Sequence, residues 1–445
     1  MTPRFGTDGV RGVANTELTP EFALALGRAA ARVLGGPRLL IGRDTRVSGP
    51  LLQAALTAGV AAEGIDAVDL GVLPTPAVAA LAAAGGVPAA MISASHNGFA
   101  DNGIKLFARG GHKLADDVEA RLVAELEKGA GMAPGAVAGA GVGVVRPDRD
   151  GRERYQQMVL ASLAGRNLGG LRVALDCANG AAAETGPELL RRAGAEVVAV
   201  LGDHPDGVNI NDGCGSTYPG GLQAAVVELG ADAGLALDGD ADRVIAVDDT
   251  GAVVDGDQTI AALALDRMAR GVLTGNTVVV TVMTNLGFHL AMAERGISVH
   301  TTAVGDRNVL EALARRGWSL GGEQSGHVIF PDLATTGDGV LTGLQLLDAV
   351  VRQGRPLSEL AGEAMVRLPQ VLRNVPVTRP AGLAGASAVW NEVRAVEAGF
   401  GDRGRVLLRS SGTEPLIRVM VEAPTHDEAE AAAARLADLV AEAIG

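Results

Sequence analysis

Short, uninterrupted apolar runs recur along this chain, separated by Ala- and Leu-rich stretches of helical length. A strand with one wet face reads as apolar–polar alternation, whereas a strand covered on both faces reads as a continuous apolar run. The runs at 39–41, 89–93, 172–176, 196–200, 233–237 and 277–282 are of the second kind. Helices are expected at 20–33, 50–63, 116–127, 186–193 and 257–268. Covered strands between helices predict α/β layers. The longest apolar stretch, 77–92, is broken by Gly85, Gly86 and Pro88, so it reads as helix, turn and buried strand rather than a membrane span.

The chain has 445 residues, room for about three domains at roughly 150 residues each. Three composition shifts mark boundaries. Residues 129–150 are rich in Gly, Ala and Val and read as a linker. At 248–257 a strand at 244–247 runs into an Asp-rich turn, and at 368–380 Pro369, Pro376 and Pro380 punctuate the chain. Beyond them the pattern changes. Two strands at 405–408 and 416–421 flank a polar loop. A last helix opens on the capping box Thr425…Glu428 and carries Leu436, Leu439, Val440 and Ile444 on one face. The pattern is three comparable α/β units followed by a different C-terminal one.

Composition narrows function. Hydrophobic residues are 47% and aromatics only 2%, so the cores are aliphatic and no stacking platform for bases is expected. A formal net charge of −14 argues against nucleic acid and anionic membrane as partners. It leaves open a small phosphorylated ligand, since a few local arginines suffice to hold a phosphate. The N-terminal run lacks a charged-then-apolar leader, so the expected compartment is the cytoplasm. Cys177 and Cys214 there read as free thiols rather than a disulfide.

Four segments carry chemistry. In Ile92-Ser93-Ala94-Ser95-His96-Asn97-Gly98 a buried strand ends in a polar turn, which displays Ser95 where reactive groups are commonly found; Ser95 reads as a nucleophile, a phosphate carrier or a turn cap. Asp238-Gly239-Asp240-Ala241-Asp242-Arg243 follows an apolar strand. Its three alternate carboxylates can converge on one hard cation, or form a solvated acidic turn, and Arg243 at the sixth position excludes an EF-hand. Arg409-Ser410-Ser411-Gly412-Thr413-Glu414-Pro415, with Arg418, offers hydroxyls, backbone N–H groups and guanidinium forks for a phosphate, or is a polar hairpin loop. Gly322-Glu323-Gln324-Ser325-Gly326-His327 offers polar groups to a hydroxyl-rich ligand, or is a plain loop. Arg11 in 6–12, Arg43 in 42–44 and Lys105 in 101–105 each place a cation beside glycines, and each segment could equally be a surface turn. A hydroxyl, a metal site, a separate phosphate dock and spare cations are what phosphoryl transfer needs.

These four loops, in this order and spacing, resemble the signature loops of the α-D-phosphohexomutase superfamily over nearly the whole chain. Phe5–Gly12, Gln324 (where the neutral-hexose branch usually carries Met), 304–307 and 335–339 are most similar to the branch acting on glucosamine phosphates. Two positions depart from the pattern: Gly98 stands where Pro is usual, and Asn308 where an aromatic is usual.

The resemblance implies a fold of four domains around a central cleft. Residues 1–150 would carry the phosphoserine loop, 151–252 the metal loop, 253–368 the sugar loop and 369–445 the phosphate loop. Three would be related α/β units with mixed sheets, and the fourth a TATA-binding-protein-like α+β domain. It implies that Ser95 carries a phosphoryl group and that Asp238, Asp240, Asp242 and an oxygen on Ser95 hold Mg²⁺. Glu323 and Ser325 would read sugar hydroxyls. Arg409, Ser410, Ser411, Gly412, Thr413, Arg418 and Arg243 would bind the substrate, with the 409–413 loop and Arg418 on its non-reacting phosphate. Arg11, Lys105, Arg43, His96 and His327 would stabilise charge or move protons. The implied reaction interconverts glucosamine 6-phosphate and glucosamine 1-phosphate, with glucosamine or glucose 1,6-bisphosphate as intermediate or activator, in a monomer or homodimer. A mutase for neutral hexose phosphates shares these residues. A sugar-phosphate phosphatase would need an Asp nucleophile and leave Ser95 idle, and a silent sugar-phosphate binder would leave the metal cluster idle.

Overall fold

The computed structural model describes residues 5–6, 9–128, 137–411 and 415–445. They divide into two compact units, Met1–Met283 with Ser298–Glu363, and Thr284–Ile297 with Ala364–Gly445.

In the larger unit, the expected apolar runs are strands and the Ala/Leu stretches helices, with three sheets among the described residues. The first sheet runs, in spatial order, Phe5–Gly6, Gly9–Val13, Asp101–Phe107, Ala89–Ile92, Arg38–Arg43, Asp66–Val72 and Val145–Pro147. Its last four strands are parallel and its first three antiparallel, so the sheet is mixed. Helices Pro20–Leu34, Gly49–Ala61 and Asp116–Glu127 bury Leu26, Leu52, Leu56 and Leu122 against Ile41, Ile92 and Ile104 of the sheet. Each such burial contributes about 1.5–3 kcal/mol. Thr19 caps the first helix by accepting from Phe22 N, ahead of Pro20 at its first position.

Of the glycine-flanked cation segments left open between cation site and surface turn, residues 9–12 and 101–105 lie in strands: pairing sets Arg11 opposite Gly103, on neighbouring strands of the sheet. Residues 145–147, read as linker, pair with Asp66–Val72 as an edge strand.

The second sheet is Val253–Val254, Val244–Asp248, Ala233–Leu237, Arg172–Asp176 and Glu196–Leu201; the third is Ser298–Thr302, Thr277–Thr281, Gly321–Gly322 and Val328–Ile329. Ion pairs tie their helices together. Arg352 bridges Asp266 (2.6 Å) and Asp348 (2.9 Å), and Arg166 forks onto the same Asp348 at 2.9 and 3.0 Å. Both cysteines are free. No helix among the described residues is long and apolar enough to cross a membrane.

Buried Asp338 caps helix Gly339–Gln353 through Leu341 N and accepts from Tyr155 Oη at 3.0 and 2.9 Å. Burial, only partly offset by Leu341 N–H and Tyr155, raises its pKa from 3.8 to about 6. The folded state therefore holds this proton more tightly than the unfolded state does, and that stability is present below about pH 4 and lost as pH rises to about 6. Asp338→Asn keeps the cap and cannot ionise. Its stability relative to the parent is expected to rise by about 3 kcal/mol between pH 4 and 6. Urea midpoints at four pH values check this; a pH-independent difference rules it out.

The smaller unit is an antiparallel sheet, Gln370–Pro376, Leu416–Glu422 and Arg405–Ser410, covered by helices Ser387–Phe400 and His426–Ile444. The expected Thr425/Glu428 capping box opens the last helix. Buried Glu422 accepts from Leu286 N (2.8 Å) and Arg405, fixing the segment 284–287 within this unit. Each unit holds one of the two tryptophans: Trp318 lies against His300, ring centroids 5.1 Å apart, and Trp390 Nε1 donates to Leu383 O at 2.8 Å.

Candidate active site

Ser95 follows strand Ala89–Ile92 in a left-handed conformation, φ +54°, uncommon for a residue with a Cβ. Its side chain is buried, and Oγ donates to Asp238 Oδ2 at 2.6 Å. Ser93 holds the loop from inside: its Oγ accepts from Ser95 N (2.9 Å) and donates to Asp44 Oδ2 (2.6 Å).

Asp238, Asp240 and Asp242 follow strand Ala233–Leu237. Ala241, at φ +56°, curls the backbone so that one oxygen from each carboxylate lies within 4.8 Å of the others. All three are buried. Gly239 has no alternative: a Cβ there would sit 2.7 Å from Ser95 O and 2.8 Å from Asn211 Nδ2.

The donor set fits a hard divalent cation. Asp240 Oδ1 and Asp242 Oδ1 are buried without a hydrogen bond, which hydrated or paired carboxylates avoid. Lys105 Nζ reaches Asp240 (2.7 Å) and Asp242 (3.3 Å), and Thr75 Oγ1 donates to Asp240 Oδ2 at 2.6 Å. Burial, then the charges of Asp242 and Asp240, push Asp238 well above the carboxylate range. Burial presses Asp242 upward too, but Lys105, His327 and Arg243 hold it well below.

Arg11, Lys105, Arg243, Glu323 and His327 line one cavity of about 200 Å³ with Ser95, Asp242 and residues 304–306. Glu323 Oε1 accepts from Gly305 N at 3.1 Å. Buried His327 lies between two carboxylates, Nδ1 3.6 Å from Asp242 and Nε2 3.5 Å from Asp306. Burial would lower its pKa, yet Asp242 and Asp306 raise it above the ordinary value. Gly337 makes room for the ring; a Cβ there would be 2.4 Å from Nε2. His96 is the opposite case: burial, with Arg243 and Arg11 nearby, lowers it to about 4. Its Nδ1 is 3.4 Å from Ser95 Oγ.

Other expected residues sit elsewhere. Arg43 is turned onto Gln53 (2.9 Å) and Asp44 O rather than into the cavity. Ser325 is exposed, and Gln324 Nε2 reaches Asp255 Oδ2 at 3.4 Å. Asn308 closes its own turn on Val304 O at 2.9 Å. In the smaller unit Arg409 and Arg418 are register partners on adjacent strands, and Ser411 N donates to Leu416 O at 2.9 Å at the mouth of the hairpin. Burial and the neighbouring Arg418 charge lower Arg409 from its ordinary value. Ser410 Oγ donates to Pro380 O at 3.2 Å, while Gly412 and Thr413 lie outside the described residues.

Sequence reasoning passed over Arg46. Fully buried, it pairs with Asp44 at 2.8 Å and donates to the carbonyls of Ser95, Asn97, Gly98 and Asp101. The loop is thus held at several carbonyls, and Gly98 at the Pro position does not leave it unsupported. The one available signal was a second arginine three residues after Arg43.

The chain matches four phosphoglucomutase/phosphomannomutase models: α/β/α domain I over residues 2–131, domain II over 153–251, domain III over 255–368 and the C-terminal domain over 372–439. It is 56% identical over 450 residues to phosphoglucosamine mutase of Thermobifida fusca, covering 99% of this chain and 98% of that one. It is 55% identical over 448 residues to phosphoglucosamine mutase of Saccharopolyspora erythraea, covering 99% of each. A phosphoglucomutase/phosphomannomutase family protein from Burkholderia thailandensis matches with a TM-score of 0.80 at 25% identity, over 99% of this chain and 97% of that one. The N-acetylphosphoglucosamine mutase of Aspergillus fumigatus, solved in complex with GlcNAc-6P and magnesium, shares the fold at a TM-score of 0.68 and 18% identity, over 100% and 96%. With relatives this similar along its full length, the chain belongs to the phosphoglucosamine mutases of the phosphoglucomutase/phosphomannomutase family.

Proposed function

We propose that the chain interconverts glucosamine 6-phosphate and glucosamine 1-phosphate in the cytoplasm, as monomer or homodimer, with Ser95 as the phosphoryl carrier. The observation that carries this is Ser95 Oγ, buried at a cavity wall and bonded to the first aspartate of a three-carboxylate cluster. In the forward direction the sugar 1-hydroxyl oxygen bonds to the phosphorus on Ser95, the P–Oγ bond breaks, and the hydroxyl proton leaves to a base. The 1,6-bisphosphate turns end for end, and its 6-phosphate returns to Ser95. Added glucosamine or glucose 1,6-bisphosphate primes an unphosphorylated serine by the same return step.

Asp238, Asp240 and Asp242, with an oxygen on Ser95, would hold Mg²⁺, which when bound offsets phosphate charge and polarises the transferring group. Lys105 and Arg11 face the transferred phosphoryl group. Glu323, which must exchange Gly305 N–H for sugar hydroxyls, reads the ring together with Ser325 and Arg243. His327 and His96 are placed to exchange the hydroxyl proton, and Arg43 supports the loop from outside the cavity. Arg409, Ser410, Ser411, Gly412, Thr413 and Arg418 dock the phosphate that is not reacting. The corresponding domains are 1–150, 151–252, 253–368 and 369–445.

The test is turnover with Mg²⁺ and a trace of sugar 1,6-bisphosphate on glucosamine 6-phosphate, glucose 6-phosphate and mannose 6-phosphate, followed by phosphorus NMR. Glucosamine 6-phosphate is expected to win by about tenfold or more in kcat/KM, about 1.4 kcal/mol in the barrier. A neutral hexose phosphate winning by that margin overturns the substrate assignment and leaves the carrier role standing.

A further inference from the structure

The peptide planes on both sides of Ser95 are pinned. Ser93 Oγ holds the N–H side. On the carbonyl side two buried side chains converge. Arg46 Nη2 donates to Ser95 O (2.9 Å) and Asn97 O (2.8 Å), and Asn211 Nδ2 donates to the same two carbonyls, at 2.9 Å each. Each carbonyl thus accepts two hydrogen bonds, one per lone pair. Because both partners are acceptors, the Asn211 atom facing them must be the amide nitrogen. Asn211 is itself anchored by its N–H to Ala178 O (2.9 Å), and Gly239 leaves it the space to reach the loop. A left-handed serine costs on the order of 1–2 kcal/mol, and persists only where surrounding contacts over-determine it.

We propose that Asn211 is a positioning residue of phosphoryl transfer: with Arg46 it fixes the peptide plane after Ser95, and thereby aims Oγ at Asp238 and the cavity. The proposal rests on the reading of Ser95 as phosphoryl carrier. Asn211 acts through the backbone of the serine loop, and so sets the rate of the chemical step rather than the binding of sugar.

Asn211→Gly and Asn211→Asp test it in the full chain. Residue 211 sits at φ +59°, which Gly and Asp tolerate. Glycine deletes the donor, and aspartate keeps the volume while offering only acceptors. Steady-state kinetics on glucosamine 6-phosphate would be read beside single-turnover phosphorylation of Ser95 by glucose 1,6-bisphosphate, followed by intact mass, and beside thermal melting. Both kcat and the single-turnover rate are expected to fall about 10²-fold, as misplacement near the reacting atoms does. KM is expected to change by less than about threefold; melting temperature is expected to fall with the lost buried hydrogen bonds, while the folded protein that remains still shows the full kcat loss. Single-turnover rates within about twofold of the parent, or a kcat loss no larger than the loss of folded protein, overturn the proposal. If the glycine variant does not fold, the isosteric aspartate variant decides. Ser95→Ala run alongside separates the two ideas: activity there sinks the carrier role, whereas an inactive Ser95→Ala beside active Asn211 variants sinks the clamp alone.

Discussion

Ser95→Ala is expected to lower turnover by about 10⁴-fold or more while the protein folds normally, the range seen when a nucleophile is removed from an otherwise intact site. The deletion takes away one buried oxygen and its bond to Asp238. It leaves Ser93, Arg46 and Asn211 on the backbone of the loop. Alanine at φ +54° keeps the left-handed strain, and glycine does not. Ser95→Gly should therefore be as inactive as Ser95→Ala but more stable, by about 1 kcal/mol. Steady-state assays and melting curves on the pair check this. Substantial turnover in either variant assigns the phosphoryl carrier to another group.

Asp240→Asn should separate metal binding from folding. Asp240 Oδ2 is engaged by Lys105 and Thr75, and Oδ1 is buried without a donor. An asparagine would keep its oxygen toward Lys105 and turn an N–H where a cation needs a lone pair. Removing one of three crowded negative charges should leave the metal-free variant at least as stable as the parent. The rise in melting temperature on adding Mg²⁺ should shrink, and turnover should fall by about 10²–10³-fold. Thermal shifts with Mg²⁺ and with EDTA, beside kinetics at saturating Mg²⁺, measure both. An undiminished Mg²⁺ shift would falsify the assignment of the cation to this cluster.

What the sequence disclosed and what it hid follow from the range of the interactions. The strands 172–176 and 233–237 and the helix 116–127 emerge with the same bounds, because a doubly covered strand and an amphipathic helix write their burial into consecutive residues. The strand Asp101–Phe107 was hidden by Asp101-Asn102-Gly103, a turn signal that pairing with Gly9–Val13 and Ala89–Ile92 overrides. The serine and aspartate loops were legible because their chemistry sits in contiguous residues. Asn211 was not, since its partners lie 116 and 114 residues away and are backbone carbonyls, which no residue pattern records. Glu323 stands between: its loop was readable, its bond to Gly305 N was not.

The scarcity of aromatic residues has an optical consequence. With Trp318 in the larger compact unit and Trp390 in the smaller, the chain carries one tryptophan per unit. Under excitation selective for indole, a Trp318→Phe protein would emit from the small unit alone, and a Trp390→Phe protein from the large one. Their denaturation curves, overlaid, would report whether the two units melt in one step or two, with no label attached.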